Sequence, residues 1–227
     1  MILRRLRIAA SLFVPDVCYL CGAPAVDGEG PVCVACAMGF DRPAESPAAL
    51  ADTLRPRVMP RRAPFGTAAA PFVYTHTNGV GRLIRAGKYG DRPGLLTYLA
   101  ARLAPMVPDD ADVLMPVPMP WLKKLRRGYN QTEVIAAELS RITGVPVGDN
   151  LTARRHRSQA SMRGAERRRA MQGVFRVRHA DELEGLHVAL VDDIITTGTT
   201  LYAAAEALLP ASPGRLSALA LAVTRQA

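Results

Sequence analysis

The chain has 227 residues, 49% of them hydrophobic and 22% charged, an ordinary globular composition that excludes a fully disordered polymer. At roughly 100–200 residues per domain this length fits one main domain with a small appendage, and no apolar run approaches the ~18–20 residues of a membrane-spanning helix, so no membrane insertion is expected. With 29 basic against 20 acidic residues the formal charge is +9, which favours polyanions such as phosphates or nucleic acid; an Arg-rich genome gives the same balance.

In chain order, the first segment, MILRRLRIAASLFVP, has basic residues and then a short apolar stretch at 8–14. Ser11 interrupts that stretch, which runs into Pro15 and Cys18. A secretory signal needs ~7–15 apolar residues and a small-residue cleavage site. A short amphipathic helix packing Leu3, Leu6, Ile8, Leu12 and Phe13 on the body fits better, and a cytoplasmic location is expected. All four cysteines follow, as Cys18-x2-Cys21 and Cys33-x2-Cys36. Two such knuckles let four thiolates converge tetrahedrally on a structural zinc ion. The spacer between them holds Gly22, Gly28, Gly30, Pro24 and Pro31, enough turn formers for a tight ribbon. Disulfides are disfavoured in a reducing compartment. A redox CxxC would sit at a helix start after a strand, which neither knuckle shows.

Residues 41–70 are rich in proline and arginine, with Pro43, Pro47, Pro56, Pro60 and Pro64 beside Arg55, Arg57, Arg61 and Arg62. Proline at that density predicts a linker or extended crossover. The expected division is therefore a helix and four-cysteine zinc ribbon at 1–40, a linker at 41–70 and the main domain at 71–227. Within the main domain the pattern predicts a strand at 72–74, a turn at Asn78-Gly79 and a helix over 80–88. A short strand at 113–117 and a helix over 132–143 come next, then a basic stretch at 152–171. A buried strand at 188–191, a helix over 199–209 and a strand at 216–223 complete it. Strands alternating with helices indicate an α/β fold, a mostly parallel sheet flanked by helices.

The segment that carries chemistry runs from His187 through Val191 into Asp192-Asp193, then Ile194-Ile195-Thr196-Thr197-Gly198-Thr199-Thr200. Ligands of open α/β sheets bind beyond the carboxyl ends of the strands. The helix beginning near Thr199 offers unpaired N–H groups and a positive dipole end. Thr196, Thr197, Thr199 and Thr200 add hydroxyls, and Gly198 lets the backbone wrap closely. Charge-assisted hydrogen bonds contribute ~1.5–3 kcal/mol each, so several fix a phosphate dianion firmly. Asp192 and Asp193 would repel that phosphate, so they are expected to face vicinal hydroxyls or a divalent metal bridging hydroxyls and phosphates. A phosphorylated ribose has both ends. The plainer alternative is helix capping by Asp or Thr; one cap needs one such residue, and six of the nine positions 192–200 are Asp or Thr.

This segment resembles the phosphoribosyl-pyrophosphate (PRPP) motif of type I phosphoribosyltransferases. The rest of the chain narrows the resemblance to the ComF family, through the CxxC pair, Leu83-Ile84-Arg85-Ala86-Gly87-Lys88-Tyr89 and Pro116-Val117-Pro118. Arg126-Arg127-Gly128-Tyr129-Asn130-Gln131, Ser158-Gln159, Arg169 and Gly173-Val174-Phe175 continue it. Ala170 departs from the pattern, since family members commonly carry Asn there. The resemblance implies a type I phosphoribosyltransferase-like sheet with a zinc ribbon and magnesium-dependent PRPP binding. It implies Asp192 and Asp193 as catalytic residues and the 196–200 loop as the phosphate cradle. Lys88, Arg126, Arg127, Arg154 and Arg169 become pyrophosphate or lid candidates; for each of them a solvated charge is the other reading. It further implies a role in natural transformation, handling incoming single-stranded DNA with a helicase partner.

Seven arginines between 154 and 169 read as a lid, a nucleic-acid track or a solvated face. Trp121 reads as a packing residue, and His76, His156, His179 and His187 show no ligand spacing and no paired nucleophile. Two functions stay open: a PRPP-dependent transferase with an unknown acceptor, and a non-catalytic nucleic-acid-binding or helicase-partner adaptor using the basic surface and zinc ribbon. Magnesium dependence marks the first; a steep salt dependence of binding marks the second.

Overall fold

The computed structural model describes residues 17–24, 30–53, 64–153 and 173–224. The amphipathic helix expected at 1–15 and the basic stretch with Arg154 and Arg169 lie outside the described residues. The elements are α1 (Val34–Met38), α2 (Pro47–Thr53), β1 (Thr67–Ala69), β2 (Phe72–Tyr74), α3 (Gly79–Tyr89) and α4 (Gly94–Leu103). They continue with β3 (Val113–Pro116), α5 (Trp121–Arg127), α6 (Gln131–Thr143), β4 (Leu151–Ala153) and β5 (Phe175–Val177). Last come β6 (His187–Ile195), α7 (Thr199–Leu208) and β7 (Arg215–Thr224).

One sheet runs β1-β7-β6-β3, with β2 also pairing β7 beyond the end of β1. Every pair in it is parallel, with β6 and β7 joined from His187↔Arg215 to Ile195↔Val223. β4 and β5 form a separate antiparallel pair. A parallel sheet is covered on both faces, so its central strands read as near-continuous apolar runs. β6 and β7 do so, and their alternate residues divide between two cores. Ala189, Val191, Leu219 and Leu221 meet Leu83 and Ile84 of α3, Leu96, Leu99 and Leu103 of α4, and Ile135 and Leu139 of α6. Val188, Leu190, Ala218 and Ala220 meet Leu201 and Leu208 of α7, Leu50 of α2 and Phe175 of β5.

The proline-rich stretch is not all linker. Ser46 accepts from the Ala49 N–H and Pro47 opens α2, where its missing N–H costs nothing; Leu50 and Ala51 are buried, and 67–69 forms β1. Asn78-Gly79 is a helix start rather than a free turn. Asn78 Oδ1 accepts from the Gly81 N–H at 2.8 Å while its Nδ2 donates to the Val73 carbonyl at 2.8 Å. Helix α4 carries Leu95, Leu96, Leu99, Ala100 and Leu103 toward the core at helical spacing. The cysteine ribbon packs into the same apolar cluster as α3 and α4 through Cys18, Val32 and Phe40, and Phe40 sets its edge on Phe72 at 5.3 Å.

At Gly87 α3 and α4 touch closely: a Cβ there would stand 2.6 Å from Leu96 Cγ. Gly87→Ala is expected to cost about 1–3 kcal/mol by overpacking, read as a lower midpoint in urea with unchanged m-value.

Candidate functional site

The acid pair sits inside β6, which extends through Ile195 and not, as the sequence pattern implied, only to Val191. Strand alternation turns Asp192 and Asp193 to opposite faces of the sheet. Asp193 follows Ala189 and Val191 toward α3. There its carboxylate meets Lys88 Nζ at 2.8 Å, with only 15% of the lysine and 9% of the aspartate side chain exposed. Asp192 accepts from the Asp193 N–H at 2.8 Å. Burial, and next the Asp193 charge, push its carboxyl up to about 7.

Beyond the acids, Thr196-Thr197-Gly198 leads into α7. Gly198 holds a left-handed conformation (φ 70°, ψ −2°), and no side chain caps the helix, which leaves its first N–H groups to an anion. Thr197 and Thr199 share a hydrogen bond between hydroxyls at 2.8 Å, while Thr196 and Thr197 are exposed and Thr200 half-buried. Residues 196–200 thus form a short turn from the carboxyl end of β6 into the first turn of α7. β3 ends beside it, Pro116 level with Val191, so the 117–120 turn borders the same end of the sheet.

The Arg126–Gln131 run has a structural role that its residue types did not disclose. Gly128 closes α5 in a left-handed turn (φ 85°, ψ −23°). Asn130 and Thr132, both buried, lock the β3 turn by donating to the Val117 carbonyl at 3.4 and 2.7 Å. Tyr129 donates its hydroxyl to the Gly87 carbonyl of α3; burial pushes its phenol pKa up, which keeps the donor proton on. Arg127 bonds Gln131 and stacks over Tyr89, 4.9 Å from the ring centre. Arg126 is exposed. Of the cationic candidates, Lys88 is thus an ion-pair partner of Asp193, Arg127 is engaged within α5 and α6, Arg126 faces solvent, and Arg154 and Arg169 lie outside the described residues. Gly87, Tyr129 and Asn130 entered the sequence reading only as parts of the runs that carry the family resemblance, and Thr132 only as the start of a helix, none with a structural role.

At the opposite end of the sheet, His187 does pair with a hydroxyl, against the expectation from spacing. Its Nε2 lies 2.7 Å from Ser217 Oγ and its Nδ1 3.0 Å from Asp110 Oδ1. Ser217 is 1% exposed and its hydroxyl bonds Thr67 at 2.9 Å. No substrate reaches a serine so enclosed, and the chain Asp110–His187–Ser217–Thr67 pins the starts of β1, β6 and β7.

The four cysteines are free thiols whose sulfurs all lie within 4.8 Å of one another, Cys21 and Cys33 at 3.8 Å. Tetrahedral zinc with Zn–S of ~2.3 Å requires S···S of about 3.8 Å, so the cluster fits a metal ion. The second knuckle does begin a helix, Cys33 being the N-cap of α1, yet both CxxC pairs converge on one point, as a redox pair would not. Burial pushes the Cys18 thiol up, but backbone N–H groups of Cys33, Cys21 and Leu20 outweigh it and bring it down to about 6. Cys36 is pushed up to about 12, first by its hydrogen bond with Cys21. A divalent cation removes that mutual repulsion and takes the protons' place.

Cys33→Ser is expected to drop zinc content well below one ion per chain and to lower the melting temperature, read by metal analysis and calorimetry. Asp192, with a folded pKa above its unfolded one, favours folding at low pH and loses that advantage as pH rises from about 4 through about 7. Asp192→Asn is therefore expected to gain melting temperature on the wild type between pH 5 and pH 8.

Comparison with known proteins agrees with this geometry. The Phosphoribosyl transferase domain matches residues 105–226, more than half of the chain. Competence protein F of Haemophilus influenzae is 36% identical over 93 residues, 40% of this chain and 41% of that protein. DNA utilization protein YhgH of Salmonella typhimurium is 26% identical over 219 residues, 87% of this chain and 92% of its own. Competence protein ComFC of Bacillus subtilis is 27% identical over 141 residues, 60% of this chain and 56% of its own. The matched stretches thus span less than half of the first of these relatives and just over half of the third. With a type I phosphoribosyltransferase sheet, a ribbon of four clustered cysteines and these relatives together, the chain belongs to the phosphoribosyl transferase domain family and, within it, to the ComF family.

Proposed function

We propose that the protein binds PRPP with magnesium at the Asp192–Thr200 segment and acts in natural competence, in the uptake or use of transforming DNA. The observation that carries the ligand reading is the pairing of an uncapped helix start at Gly198 with two carboxylates at the same strand end. One half suits a terminal phosphate and the other a diol. The names of the relatives, Competence protein F, ComFC and DNA utilization protein, support the biological role. Asp192 has no ion pair of its own among the described residues; burial and the Asp193 charge push its carboxyl up, and the Lys88 charge offsets part of that. Asp192 is the residue with room for a magnesium ion arriving on the pyrophosphate, which would neutralise the leaving group. Asp193, held by Lys88, is the better acceptor for a ribose hydroxyl. Free clustered thiols suit a cytoplasmic, reducing location. No helix among the described residues is long and apolar enough to cross a membrane.

A second reading rests on α5. Lys123, Lys124 and Arg126 there are exposed beside Trp121 and Leu125, which are 50% and 71% exposed. A cationic helix with apolar side chains at the surface suits a single DNA strand or a helicase partner, with or without catalysis at the other site.

Calorimetric titration with PRPP, with and without magnesium, separates the readings. Asp193→Asn and Thr197→Ala are each expected to weaken magnesium-dependent binding by ~1–3 kcal/mol without unfolding the protein; unchanged affinity in both removes the ligand from this loop. Binding of single-stranded DNA in the α5 reading is expected to fall with salt at a log–log slope of ~−0.7 per phosphate contacted.

A further inference from the structure

We propose that Lys88 is a positioning residue for Asp193, supplied from a helix ahead of the stretch that matches the transferase domain, rather than a clamp on the pyrophosphate. The inference rests on the ribosyl-phosphate reading above and names how one half of that site is held. Lys88 belongs to α3, which precedes the matched domain at 105–226, whereas Asp193 lies at the heart of that domain on β6. The 2.8 Å ion pair between them is largely shielded from water. A shielded pair is costly to break from one side, because the remaining charge is left without a partner.

α3 has little freedom to present Lys88 elsewhere. At its start, Gly79 lies so close to Phe40 and Leu20 that a Cβ would stand 2.9 and 3.0 Å from their carbons. Arg82 Nη1 donates to the Leu20 carbonyl at 3.2 Å, so the helix begins against the cysteine ribbon. Near its end Gly87 abuts Leu96 and its carbonyl takes the Tyr129 hydroxyl, and Tyr89 lies under Arg127. Lys88 stands between those two fixed residues, and alternation along β6 turns Asp193 toward it. The lysine thus fixes the direction and charge of the carboxylate that would accept the ribose hydroxyl.

Two experiments test this. In the ligand-free protein, Lys88→Met and Asp193→Asn are each expected to lower the melting temperature, and the double variant to recover most of the loss. If Lys88→Met alone does not fold, folding of the double variant gives the same answer; additive losses overturn the assignment whatever the wild type binds. In titrations, Lys88→Met is expected to weaken magnesium–PRPP and ribose 5-phosphate by the same factor, about ten- to hundredfold, because both ligands carry the diol. A loss confined to PRPP makes Lys88 a pyrophosphate contact and overturns the proposal. Unchanged affinity for both makes the pair purely structural and overturns it too. Failure of folded wild type to bind either ligand overturns the ribosyl-phosphate reading itself, and the ligand role of Lys88 with it, a result distinct from additive melting losses.

Discussion

A strand walled in on both faces can carry charge only near its ends, and β6 is such a strand. Its residues from Val188 to Val191 are fully enclosed by helices on either side, so polar chemistry is confined to His187 at one end and Asp192–Asp193 at the other. The same enclosure raises the energetic stake of each charge. His187 is held by Asp110 and Ser217, and Asp193 by Lys88. Asp192 keeps its backbone hydrogen bond and its proton up to about neutral pH. The order of the site comes from this: three polar groups each solve the problem of desolvation differently.

The helices that enclose β6 are themselves tied at a few backbone carbonyls. Gly87 lies in the last turn of α3 and Val117 just past β3, where helix and strand leave carbonyls to outside donors, and Tyr129, Asn130 and Thr132 supply them. Buried carbonyls left unpaired cost as much as a lost hydrogen bond, so these side chains fix how the β3 turn, α3 and α6 meet. The arginines of the same run look like anion contacts in a sequence, but here the neutral residues between them do the joining.

The strand–acid–threonine–glycine–helix order was legible because every part is local: an apolar run, a charge pair and a helix start follow one another in the chain. The cysteine cluster was legible for the same reason, as spacing alone brings four sulfurs together. What stayed hidden depends on distant segments. Lys88 and Asp193 are joined only by the register of α3 on the sheet. Asp110, His187, Ser217 and Thr67 come from four separate stretches, so spacing showed no partner for the histidine. Helix α2 was masked by its prolines, although Ser46-Pro47 is a sound helix start. The end of β6 was read too early because two carboxylates look like a loop; in the fold each finds its own face of the sheet.

The sheet has two open sides, and both are made short. On one, Pro71 interrupts the chain between β1 and β2, so the outer side of β7 is lined by two three-residue strands. On the other, β3 is four residues long, ends at Pro116 and is overlaid by residues 146–148. There Leu114 donates to the Pro146 carbonyl and accepts from the Gly148 N–H. Among the described residues neither side presents the long row of unpaired N–H and C=O groups that lets one sheet add to another. Edge-to-edge pairing of this sheet between copies of the chain is thereby disfavoured.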